Sequence, residues 1–195
     1  MDNNQPINTV IEFENKFNGF FADKHLSPAG KKRVEQSMHL LSGYLKMNNI
    51  VMEKDGAIAG VVVVLVEDAI SGVGDIAMAK IGGNDDKDAL FAEIKARTDS
   101  HSYDAVITVA EAWMAMVDKG ESITCAPSQH PQRKEAVITS LHMNVDFKPC
   151  VVTAMQEISR NGDQVKLLTP QFSFISGDEI RGRMTGFEKN LCPVT

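Results

Sequence analysis

The sequence predicts an α+β fold of two layers, with a mostly antiparallel sheet of five to six strands and helices on one face. Three observations carry this expectation. Apolar residues recur at helical spacing through the first fifty positions, and AIAGVVVVLV (57–66) is a β-branched run about half the roughly 20 residues a membrane helix needs. In the second half, Asn161-Gly162 separates two alternating segments, as in a hairpin. The domain is expected to cover 1–172, with a helical part over 8–48 and a sheet part over 57–172. The remainder, 173–195, carries three glycines and no sustained period, so it is expected to be a loosely ordered or partner-dependent tail.

Val10, Phe13, Phe17, Phe20 and Phe21 form one apolar stripe that must be covered, by the core or by a second subunit. Ser27 is placed as an N-cap and Pro28 at the first helical position, where a missing N–H costs nothing. Val34, Met38, Leu41 and Leu45 mark the buried face of that helix, which is expected to end at Asn48-Asn49. After the valine strand come a turn at Ser71–Asp75, a short strand IAMAKI and a break at Gly82-Gly83-Asn84. Gly72–Ala77 matches G-x-G-x-x-A, but five residues separate it from the strand and no full helix follows, so it is read as a turn between strands. A helix over Asp86–Arg97, acidic at its start and basic at its end, would turn Leu90, Phe91 and Ile94 toward the sheet.

Two neighbouring, antiparallel strands follow, from Asp104 and from Lys134, joined by about sixteen loop residues. Alternation puts Ile107, Val109, Glu111 and Trp113 on one face of the first, and Val106, Thr108, Ala110, Ala112 and Met114 on the other. Centring the last hairpin on Asn161-Gly162 would pair Arg160 with Asp163, Ile158 with Val165 and Glu157 with Lys166. Val152, Ala154, Ile158, Val165 and Leu167 then share the covered side, and the opposite side is open.

The net charge of −6 and the pI near 5.4 disfavour nucleic acid and anionic membranes as partners, and no basic stripe overrides the average. Cys125, Cys150 and Cys192 are odd in number and widely spaced, so they are expected to be free thiols. The polar, acidic first residues do not read as an export signal, and a cytoplasmic location is expected.

The chemistry-bearing residue types gather around the two-strand segment. Glu111, flanked by Val109 and Trp113, is either a surface group or a partly desolvated carboxyl suited to proton transfer. His130 lies between Pro127 and Pro131, and Arg133 and Glu135 lead into the second strand; with Trp113 these five are the candidate ligand-binding residues, Glu111 and His130 being weak catalytic candidates. A glutamate, a histidine-proline and a serine resemble a fragment of the JAMM metalloprotease pattern. Ser128 stands where its first histidine belongs and Met143 where its aspartate belongs, so two of three metal ligands are missing. VAEAWMA followed by PSQHPQRKEAVITS resembles the paired signatures of a family of uncharacterised bacterial and phage-associated proteins, over roughly residues 86–170. That resemblance implies the strand-pair arrangement and no activity. The function expected is a non-enzymatic binding or regulatory module, without a cofactor, that self-associates or takes a protein partner. The alternative is a metal-assisted hydrolase using Glu111 and His130.

Overall fold

Residues 61–66 are aliphatic without interruption, so a strand there is apolar on both faces and needs cover on both. The computed structural model, which describes residues 15, 17–22, 24–79, 84–115, 125–177, 180 and 186–195, provides the two covers. Its helices are α1 (Pro28–Asp55) and α2 (Asn84–Ser100). Its strands are β1 (Val61–Asp68), β2 (Val73–Ala79), β3 (Ala105–Ala115), β4 (Arg133–Val145), β5 (Lys148–Asn161), β6 (Gln164–Leu167), β7 (Gln171–Ser176) and β8 (Pro193–Val194). No described helix is long and apolar enough to cross a membrane.

The strands form one sheet in the order β2-β1-β3-β4-β5-β6, with β7 also on β5 and β8 on β4. Every pairing is antiparallel except the short parallel contact of β8 with β4. Among the described residues eight strands therefore stand where five to six were expected. The additional ones are short segments added end to end: β6 and β7 share the outer side of β5, and β8 takes the piece of β4 beyond the start of β3.

Alternation along β1 assigns the layers. Val64 and Val66 pack with Val34, Leu41 and Met52 of α1, whereas Val61, Val63 and Leu65 pack with Leu90 and Ile94 of α2. The two helices thus lie on opposite faces, not on one, because a strand apolar on both sides cannot leave either side wet. β3 divides as its period predicts, with Ile107 and Val109 toward α1 and Val106 and Ala110 toward α2.

Ser27 caps α1 by accepting from Gly30 N at 3.0 Å, and Gly56, with φ 72°, closes it by donating to Met52 O. The helix passes through Asn48-Asn49 instead of stopping there. Asn48 donates to Thr139 Oγ1 of β4 at 2.9 Å, and Asn49 donates to Leu45 O at 2.8 Å, so neither side chain competes for the local backbone N–H groups. Residues 17–22 are helical, and Phe17 and Phe20 lie 5.5 Å and 5.0 Å from the Phe174 ring of β7. The described part of the phenylalanine stripe therefore joins the core; Val10 and Phe13 fall outside the described residues.

The last hairpin pairs Asn161 with Gln164, Arg160 with Val165 and Ile158 with Leu167, two residues away from the expected register. Its turn is Gly162-Asp163, with a positive φ at Gly162 only, the pattern of a II′ turn. A two-residue slip preserves which face each side chain occupies, so hydrophobic alternation cannot detect it. The charged partners change instead: Arg160 bonds Glu135 and Glu157 bonds Lys134, both across to β4.

The described part of 173–195 is built into the fold. Phe187 and Leu191 are fully buried in the α2-side cluster, and Cys192 N donates to Tyr103 O at 2.8 Å. The segment lacks a period because it inserts single apolar anchors into an existing core. Phe187→Ala is expected to destabilise the protein by about 3–5 kcal/mol in urea unfolding. A loss under about 0.5 kcal/mol, typical of a surface change, would show that the segment is not part of the core.

Candidate functional site

The β3–β4 register puts Trp113 opposite Glu135 and Ala115 opposite Arg133, with Glu111 opposite Val137. All six share the face that α1 covers farther along the strands. At this end the cover is the connection from α1 to β1, residues 56–60, and the polar residues attach it. Glu111 Oε1 accepts from Ile58 N at 2.5 Å. Arg160 donates to Gly56 O at 3.2 Å and to Glu135 Oε2 at 2.9 Å. Ile58, held between them, packs onto the α1-side core. Glu111 and Glu135 are thus explained by the backbone and the guanidinium that they engage.

Trp113 and Arg133 behave differently. The guanidinium sits 5.0 Å over the indole ring, and Trp113 remains 42% exposed, a cation–π pair worth about 0.5–1 kcal/mol at such a site. His130 follows a 3₁₀ turn at Pro127–Gln129; its Nδ1 accepts from Gln132 N at 3.2 Å and its carbonyl from Arg133 N at 3.1 Å. These bonds set the entry of the chain into β4. Four residues of strand, about 13 Å, separate the level of Glu111 from the start of β4, and His130 precedes that start by three residues in sequence. The two weak catalytic candidates bond to different groups, Glu111 to Ile58 N and His130 to Gln132 N. Among the described residues no three His, Cys, Asp or Glu side chains are grouped to hold a metal ion.

A second polar cluster, on the α2 face, was not legible as a pair. His142 Nδ1 and Glu188 Oε1 are 2.9 Å apart and both residues are buried; Gly186 N donates to Glu188 Oε2 at 2.6 Å. Burial opposes the Glu188 charge, but the hydrogen bond and charge of His142, with backbone N–H groups, outweigh it and hold the carboxyl below its ordinary value. Glu188 lies in the aperiodic C-terminal segment, 46 residues from His142, so no spacing rule links them. Cys150 is fully buried, and burial, with a smaller push from the Glu188 charge, raises its thiol to about 12, which removes it as a nucleophile at neutral pH. Asp104, also buried, accepts from Ala69 N at 2.9 Å and so fixes the turn after β1.

These polar groups tie segments of the chain together. Comparison with protein-family models, with curated proteins and with solved structures finds no match.

Glu111→Ala should leave the fold intact and speed amide exchange at Ile58 above that of the neighbouring strand amides; unchanged exchange would mean that the carboxylate does not hold the connection. For Glu188 the folded pKa is below its ordinary value of 4.5, so its stabilisation is present above 4.5 and is lost as pH falls through the lower folded value. Denaturant unfolding between pH 6 and pH 3 should therefore be less pH-dependent for Glu188→Gln than for the wild type. Parallel curves would refute that assignment.

Proposed function

We propose that this chain is a non-enzymatic binding or regulatory module that self-associates, and that it does so through the outer edge of β2. The observation that carries the reading is the chemistry of that edge. Among the described residues nothing pairs with the outer side of β2, and Val73 and Ile76 are 54% and 65% exposed along it. Unpaired N–H and C=O groups beside exposed aliphatics form a template for another strand. Leu40 and Tyr44 of α1 border the same apolar strip, together with Val64 and Val66 of β1.

A second copy is the partner that this edge fits. Antiparallel pairing of β2 with its symmetry mate about Ile76 places Asp75 opposite Ala77 and Val73 opposite Ala79, so no like charges face each other directly. The joined sheet would continue β1 and β2 of one copy into those of the next. Neither Glu111 nor His130 enters this reading.

Light scattering on the purified chain should give twice the 21.3 kDa chain mass, and Ile76→Lys, which puts a charge on the edge, should give the monomer. A wild-type monomer at the highest soluble concentration would defeat the proposal. A dimer unaffected by Ile76→Lys would move the contact elsewhere.

A further inference from the structure

The β4–β5 hairpin turns at Asp146-Phe147, and both residues have positive φ, 50° and 60°. That is the two-residue I′ pattern, in which Asn-Gly is favoured because a side chain disfavours the left-handed region. Aspartate tolerates it; phenylalanine does so poorly. The Phe147 ring gains no burial in exchange, since the residue is 72% exposed. Glycine would make the same turn with less strain, so folding does not account for an aromatic here. Strained positions that stability does not explain gather at ligand sites.

Phe147 borders an open cleft of 590 Å³, between this hairpin, the end of β7 and the segment carrying Phe20 and Lys24. Small-molecule pockets fall in the same range, about 300–1,000 Å³. Lys24 supplies a built-in cation. Its side chain is only 7% exposed, with the ammonium 5.1 Å over the Phe20 ring and 3.5 Å from Asp146 Oδ2. Lys148, a second cation, lines the cleft next to the turn. Among the described residues, two ammonium groups stand at this recess with the Asp146 carboxylate, on a chain whose net charge is −6. Ser176 and the backbone at Gly177 add hydrogen-bonding groups to the far wall.

We propose that this cleft binds a small organic anion with a planar apolar body, the acid group meeting Lys24 and Lys148 and the ring lying against Phe147. The acid is a carboxylate or a phosphate monoester. Either is recognised by the same charge-assisted bonds, and an exposed aromatic face suits any flat ring. The site uses neither the β2 edge nor the five residues around the β3–β4 end.

Calorimetric titration of the full chain with benzoate and with adenosine 5′-monophosphate tests this, with benzyl alcohol and adenosine as uncharged counterparts. At least one anion should bind about tenfold or more tighter than its neutral partner, and which of the two does so identifies the acid. Phe147→Gly should weaken that anion by about tenfold or more and raise Tm by about 2–4 °C, because the substitution relieves the left-handed strain. Lys148→Met should weaken the anion and leave the neutral compound unchanged. No binding of either anion, or undiminished binding by Phe147→Gly, would overturn the proposal. So would a lower Tm for Phe147→Gly, which would assign Phe147 to the fold.

Discussion

The eleven-pair ladder between β3 and β4 is the constraint around which the molecule is arranged. From Ala105 to Val109 the first strand is almost wholly buried, and its partner is buried from Leu141 to Val145. Backbone groups at that depth have no water, so the ladder must satisfy them. Apolar side chains leave on both faces, so two covers are needed: α1 with Phe17, Phe20 and Phe21 on one, α2 with Phe187 and Leu191 on the other. A 28-residue helix is about 42 Å long, and its far end and the connection after it reach the opposite end of the same ladder. There the strands turn polar, and Glu111, Glu135 and Arg160 replace apolar packing as the means of attachment.

This division explains where the polar residues at that end of the ladder find their partners. The carboxylates near Trp113 are occupied by a backbone N–H and by a guanidinium. His130 is held by its own turn. The buried His142 and Glu188 lie where the C-terminal segment inserts, and their hydrogen bond secures it there. The exposed apolar groups among the described residues include the aliphatic edge of β2, Trp113 and the strained aromatic turn at Phe147.

Much of the local structure was legible. The Ser27-Pro28 start of α1, the charge order of α2, the two-faced apolar run of β1 and the alternation of β3 each follow from neighbours a few residues apart. Glu111, Trp113 and Glu135 were located on the right strands, while Arg133, expected just before the second strand, begins β4; the closeness of Trp113, Arg133 and Glu135 at one end of the ladder follows from antiparallel pairing. Their roles were not legible, because the partners of Glu111 and Glu135 come from Ile58 and Arg160, 53 and 25 residues away. Phe147 gave no signal, because a turn without glycine or asparagine at its centre does not look like one.

Periodicity, caps and apolar runs alone establish an α+β chain with an antiparallel sheet, since each of those signals acts over one or two turns of chain. Long-range contacts settled the remainder. Which face each helix covers, the two-residue shift of the last hairpin, the extension of α1 past Asn48 and the burial of Phe187 all depend on groups far apart in sequence. A strand's alternation records that a side chain is buried, without recording what buries it. A register moved by two residues leaves that alternation unchanged, so partner strands alone could select it.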